Sequence, residues 1–220
     1  MAFEIVSGKN AKEFNRPEQT VALFPGAWNP PTNAHLEIAR AARRTGRHVV
    51  WVLPRTFPHK SWDGMGIDQR LAMLRAIAAA EPGFSVALAD AGLYRDIADQ
   101  ARAYYGETCA ISIVCGRDAA ERMATWDYGI EGAFEALLER YPLLVASRAG
   151  DYVPEPPFEA RIAPLPVKTS LDLISSSEVR RRIGTGEDWE HLVPDAIVNM
   201  VRELYADKHA KHCHTSDRLP

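Results

Sequence analysis

The chain has 220 residues, 46% of them apolar, which is enough for one well-filled core. Its formal net charge of −3 leaves no broad basic surface for nucleic acid, so an anionic substrate must be held by a few local cations and not by the overall field. The three cysteines, Cys109, Cys115 and Cys213, match no zinc or redox spacing, and their odd number argues against a disulfide framework. No apolar run approaches the ~20 residues that cross a bilayer. The first twenty or so residues lack the apolar stretch of a signal peptide. The expected setting is therefore reducing and cytoplasmic, with neither membrane nor nucleic acid as a partner.

In chain order, strand-like and helix-like segments alternate. Residues 21–24 (VALF) form a short apolar run ended by Pro25 and Gly26, and a Pro-rich turn covers 28–33. A helix is expected over 35–44, stopped by Gly46, and then a β-rich run at 48–53 (HVVWVL) closing at Pro54. A loop at 55–66 leads into a second helix, where Ile67, Leu71, Leu74 and Ile77 recur at helical spacing. A strand at 84–88 and a helix at 97–105 precede a buried-type strand at 110–115 (AISIVC), which Gly116 ends. A helix at 134–140, a strand at 143–146, a Pro-rich link and a last strand at 161–165 follow, and helices at 177–183 and 195–205 close the chain. This alternation predicts a single α/β domain over 20–206, a parallel sheet covered by helices on both faces. Residues 1–19 are an N-terminal extension and 207–220 a tail, both expected to be loose, although His209, His212, Cys213 and His214 crowd the tail.

Four stretches carry chemistry. In GAWNPPTNAH, Gly26 permits close backbone approach, Thr32 can cap the first helix, and His35 lies in its first turn, where free amides attract an anion. Lys60 in PHK, after the second strand, is a cation on the edge where ligands sit. Gly116-Arg117-Asp118 follows the AISIVC strand; Asp118 either caps a helix or accepts hydrogen bonds from a ribose, and Trp126 can stack on a flat ring. ISSSEVR places Ser176 and Ser177 at a helix start, with Arg180 able to clamp phosphate as a fork. Each stretch also reads as ordinary capping or surface polarity. Their weight comes from falling at strand-to-helix junctions or helix N-termini, which a parallel sheet gathers at one edge.

This set resembles the nicotinate (or nicotinamide) mononucleotide adenylyltransferases of the HxGH/TxGH nucleotidyltransferase superfamily. GAWNPPTNAH is similar to the family's glycine–aromatic–Asp/Asn–Pro–H/TxGH element. PHK with DQRLAML, GRDAAERMATW, ISSSEVRRRI and LVPDAIVNMVRELY resemble its later elements in order and spacing. The resemblance implies a Rossmann-like fold, ATP and a pyridine mononucleotide as substrates, and Mg²⁺ carried by ATP, with no protein metal site. It implies direct attack of the mononucleotide phosphate on the α-phosphorus of ATP. It also places Thr32, His35, Lys60 and Arg180 on the phosphates as catalytic groups. Gly26, Ala27, Asn29, Gly116, Asp118, Ser176 and Ser177 fall to ATP, and Trp28, Arg95 and Trp126 to the mononucleotide. Three departures stand out: Ala34 replaces the signature glycine, Thr32 stands where the pyridine-nucleotide enzymes usually have His, and residues 93–98 (LYRDIA) lack the threonines that help recognise the pyridine substituent. Arg95 there favours a carboxylate by charge. Two alternatives stay open: an adenylyl- or cytidylyltransferase with another phosphorylated acceptor such as phosphopantetheine, and a non-catalytic nucleotide-binding descendant. Nothing in the sequence fixes the oligomeric state.

Overall fold

The computed structural model describes residues 2–13, 20–57, 65–146, 152–167, 171 and 173–213, with 206–213 as backbone only. Strand β2 (Thr20–Pro25) sits mid-sheet, paired in parallel with β3 (His48–Pro54) on one side and β5 (Ala110–Gly116) on the other. Beyond β3 lies β4 (Phe84–Ala89); beyond β5 lie β6 (Leu143–Ala146) and β7 (Ile162–Leu165), all parallel. The interior strands read as unbroken apolar runs because both faces are covered. Ala22, Phe24, Val49, Trp51 and Leu53 point to one face, under helices α1 (Asn33–Arg44), α2 (Ile67–Ala80), α6 (Ser176–Thr185) and α7 (Val198–Cys213). Val21, Leu23, Val50, Ile111 and Ile113 point to the other, under α3 (Tyr94–Tyr105), α4 (Arg117–Thr125) and α5 (Ala133–Arg140).

Without β1 (Phe3–Ser7), the six parallel strands follow the order 3-2-1-4-5-6 of the doubly wound dinucleotide-binding fold. The strand order reverses between β2 and β5, so a crevice opens where Pro25 and Gly116 end their strands. Three of the four motif stretches, those beginning at Gly26, Gly116 and Ile174, have their described residues near this edge.

The ends of the chain depart from expectation. Residues 3–7 are not loose: β1 pairs antiparallel with β4, Phe3 opposite Ala89, so the sheet is not wholly parallel. Phe3 is buried with its ring 5.6 Å from Tyr104 and 6.1 Å from Tyr105, and that aromatic contact anchors a strand too short to show a clear alternation. Residues 207–213, expected as tail, continue α7; ADKHAKHC holds no glycine or proline to stop it. Residue 214, and with it the last of the tail histidines, lies outside the described residues. Helix α4 was not foreseen as a helix beyond its capping signal. Among the described residues no helix is long and apolar enough to cross a membrane.

At the opposite edge of the sheet, His48 opens β3 half-buried, its Nε2 2.7 Å from Ser85 Oγ, which also accepts the Lys9 N–H at 2.8 Å. Burial, and secondarily the Lys9 charge, bring the imidazole from 6.5 down to about 4. Between those values the unfolded chain binds more protons than the folded one. This contribution to stability is therefore full above about 6.5 and is lost as pH falls towards about 4. The melting temperature should drop over that window, and the drop should be smaller in His48→Gln; identical profiles in thermal scans of the two proteins would remove His48 from the acid sensitivity.

Candidate active site

The loop from Gly26 to Thr32 joins β2 to α1 and has no regular structure, so its polar backbone must be satisfied from outside. Its shape starts with Trp28, whose φ of 54° turns the chain back and sends the indole inward. The indole N–H donates to Val52 O at 2.9 Å, and the ring packs edge-on against Phe24, Trp51 and His35 at 4.8, 4.7 and 5.2 Å. Gly26 is needed for this fold-back, because a Cβ there would lie 2.6 Å from the indole. Trp28 is only 3% exposed, which corrects its expected place on the mononucleotide: it has no open face for a ligand ring and supports the loop from beneath.

Thr32 caps α1 as expected, and His35 closes a reciprocal capping box. The Thr32 N–H donates to His35 Nδ1 at 3.1 Å, and the Thr32 hydroxyl lies 2.9 Å from the same nitrogen. A backbone N–H can only donate, so Nδ1 is an acceptor and the proton of the neutral ring sits on Nε2, away from the cap. Thr32 itself is fully buried, so the expectation that it touches phosphate is corrected; its backbone and hydroxyl are turned to His35 instead. Ala34 is also buried, with its methyl covered by protein and not projecting into solvent.

Three backbone carbonyls of the loop are held by helices distant in sequence. Arg70 of α2 donates Nη1 to Ala27 O at 3.1 Å and Nε to Gly66 O at 3.3 Å, with its guanidinium 5.4 Å above the Phe57 ring. Burial lowers Arg70 to about 10, which still leaves it protonated at neutral pH. Arg180 of α6 donates Nη1 to Asn29 O at 2.5 Å, and Ser176 donates to Pro30 O at 2.8 Å. The Tyr205 hydroxyl of α7 donates to Asn29 Oδ1. Tyr205 was not singled out from the sequence, and Arg70 only as part of Asp68-Gln69-Arg70 with no role given, although a cation inside the apolar run of DQRLAML is a signal of a buried, partnered charge.

Helix α6 is capped by Ser175, whose hydroxyl accepts the Glu178 N–H at 3.1 Å. Its three successive arginines differ. Arg181 pairs with Glu178 and Glu187, and Arg182 with Glu178. Among the described residues Arg180 meets only neutral acceptors, Asn29 O and Ser177 Oγ at 3.2 Å. Ser177 is exposed beside it.

Across the crevice, Gly116 begins α4 without a side-chain cap, and a Cβ there would meet nothing within 4 Å. Asp118 lies in the first turn, exposed and not the cap, which leaves its carboxylate available to a ribose. Arg117 reaches Glu121 at 3.4 Å. Trp126 ends α4 and is 39% exposed. Two residues on, the Tyr128 ring lies 5.7 Å under the guanidinium of Arg95, which also holds Asp96 at 3.0 Å. Arg95 is thereby brought close to the Trp126 segment. Lys60 lies outside the described residues.

A doubly wound sheet with an anchored glycine loop, a helix-capping histidine and an arginine facing neutral acceptors defines a nucleotide-binding α/β transferase. A family profile described as cytidylyltransferase-like matches residues 23–182. A relative from Salinibacter ruber, a probable nicotinate-nucleotide adenylyltransferase, is 31% identical over 207 residues, covering 86% of this chain and 96% of its own. One of the same description from Anaeromyxobacter dehalogenans is 32% identical over 190 residues, covering 82% and 92%. The nicotinic acid mononucleotide adenylyltransferase of Plasmodium falciparum, solved with NaAD, superposes with a TM-score of 0.66 at 16% identity, over 86% of this chain and 98% of that one; it matches in fold. The chain belongs to the cytidylyltransferase-like family, among its nicotinate-nucleotide adenylyltransferases.

The capping box separates two roles that substitution can resolve. Thr32→Ala should lower stability by about 1 kcal/mol, the cost of a lost N-cap, and reduce turnover through a less well-held ring. His35→Ala should cut turnover about 10²- to 10³-fold, the scale of one lost oxyanion-type donor. Melting curves and steady-state rates of both variants decide it. Full turnover in His35→Ala would take the imidazole out of the chemistry.

Proposed function

We propose that this enzyme transfers AMP from ATP to the 5′-phosphate of nicotinate mononucleotide. A phosphate oxygen of the mononucleotide attacks the α-phosphorus in line, the bond to the β-phosphate breaks, and pyrophosphate leaves with the electron pair. No protein nucleophile takes part; positioning and charge stabilisation do the work. The observation that carries this reading is the state of the arginine triplet. Arg181 and Arg182 are neutralised by glutamates, while Arg180 stands at the loop with only neutral acceptors among the described residues.

In this reading Arg180 and the Nε2–H of His35 meet the negative charge that grows on the phosphates, and Ser177 and the start of α6 hold the outer phosphates. Lys60 adds a second cation from its loop. Gly116 leaves room for the nucleoside and Asp118 takes its ribose. The described residues hold no group of three His, Cys, Asp or Glu side chains suited to a metal. The Mg²⁺ that ATP carries would be bound through phosphate oxygens and water, its usual preference. On the acceptor side, Trp126 offers a face to the pyridine. Besides the Tyr128 ring, Arg95 holds the partly exposed carboxylate of its neighbour, a weak pair that a substrate carboxylate can replace.

Pyrophosphate release should be fastest with nicotinate mononucleotide, slower with nicotinamide mononucleotide, and absent with phosphopantetheine. Release with phosphopantetheine alone would leave only the general nucleotidyltransferase reading. A lysine cannot reproduce the guanidinium fork, so Arg180→Lys should weaken ATP use by at least an order of magnitude, whereas Arg182→Lys changes it little. Equal losses would mean that the wrong face of α6 has been assigned. Trp126→Ala should raise KM for the mononucleotide and leave that for ATP nearly unchanged. Arg95→Ala should narrow the preference for nicotinate over nicotinamide mononucleotide; an unchanged ratio would place the carboxylate elsewhere.

A further inference from the structure

The Asn29 carboxamide is nearly buried and lies at the centre of the loop, yet among the described residues hydrogen bonds engage only one of its two ends. The Tyr205 hydroxyl, 176 positions along the chain, meets Oδ1. The backbone carbonyl of the same residue accepts from Arg180. An oxygen that accepts from Tyr205 leaves the amide nitrogen, a pure donor, on the opposite side. We infer that Tyr205 is a positioning residue, whose hydroxyl fixes the Asn29 amide so that its N–H groups face a phosphate of bound ATP.

The arrangement repeats the logic of His35. In each case a hydrogen bond from behind occupies the acceptor atom and turns a donor towards the crevice: the Thr32 N–H on His35 Nδ1, and the Tyr205 O–H on Asn29 Oδ1. Tyr205 suits the task because it is buried in the core under the sheet, with burial holding its hydroxyl protonated well beyond neutral pH. It is also held by rigid packing, since α7 lies in the same core cluster as Phe24 and Trp28. The hydroxyl therefore stays a donor over the whole working range, and its direction is set by the core and not by the loop it serves. The inference rests on the ATP-binding part of the proposed function and not on the choice of acceptor.

The test is a double-mutant cycle read by the Kd of a non-hydrolysable ATP analogue, with kcat as a second readout. Tyr205→Phe should raise that Kd about five- to tenfold, the scale of one hydrogen bond, and lower kcat, with the melting temperature reported for every variant. Asn29→Ala should raise the Kd at least as far, and adding Tyr205→Phe to it should change the Kd less than about twofold, because no amide is left to orient. Asn29→Asp keeps an oxygen for Tyr205 but removes the N–H donors; it should fold and still lose affinity, and it serves as the second background should Asn29→Ala unfold. Fully additive losses in both backgrounds, or an unchanged Kd in Tyr205→Phe, would overturn the role of Tyr205. Normal analogue binding with no AMP transfer to any acceptor would instead sink the proposed reaction, and leave this inference to stand or fall on the cycle.

Discussion

A loop of seven residues without secondary structure must find partners for its backbone, and the way this loop finds them determines the site. The carbonyls of Ala27, Asn29 and Pro30 go to Arg70, Arg180 and Ser176, from two helices, α2 and α6, that are distant from each other in the chain. From below, the Trp28 indole fixes the same loop to Val52 on β3. An unpaired buried carbonyl costs roughly 1–3 kcal/mol, so each of these bonds removes alternative shapes as well as adding stability. The loop then enters α1 in one geometry, and the capping box of Thr32 and His35 forms only from that geometry. The His35 imidazole is thus aimed by its bonds to Thr32 and its packing on Trp28, both of which depend on how the loop is held.

A buried guanidinium is an expensive way to hold a carbonyl, and Arg70 is nearly fully buried. Desolvation of Arg70 lowers its proton affinity without removing its charge. Two carbonyl dipoles and an aromatic face meet it behind the loop. Arg180 is likewise met by neutral acceptors. In a chain with a net charge of −3, the field near this loop depends on local cations, buried Arg70 and exposed Arg180 among them, and not on the total.

The parallel core and the places where function sits were legible in the sequence because they depend on local rules. Unbroken apolar runs such as HVVWVL and AISIVC fit only a sheet covered on both faces, and Gly26, Thr32 and Ser175–Ser177 mark strand ends and helix starts. Long-range packing was not legible. That Trp28 points inward depends on its left-handed φ and on Val52, and neither leaves a trace in GAWNPP. The burial of Thr32 follows from the same fold-back, so a residue that a motif places on phosphate serves the histidine beside it. The edge strand Phe3–Ser7 depends on Tyr104 and Tyr105, about a hundred positions away. Arg70 and Tyr205 look like ordinary helix residues until three helices are brought together around one loop.

The two halves of the crevice are built differently, and this bears on where specificity resides. The half beneath the first loop is layered: buried Trp28, Thr32, Arg70 and Tyr205 stand behind the loop and the first turn of α1, so little there can change without disturbing the core. The half around Trp126, Tyr128 and Arg95 is partly exposed, on the end of one short helix and the first turn of another, and its ion pair is between sequence neighbours. Side chains in that half are held by few contacts and can be exchanged at little cost to the fold. The departures from the family pattern divide along the same line. Ala34 and Thr32 lie in the layered half and are absorbed by burial, whereas residues 93–96 are half-exposed in the open half, with Ile97 and Ala98 in the core beneath them. The layered half is thus tied to the packing of the domain, whereas the open half is a small, loosely held surface that can vary without it.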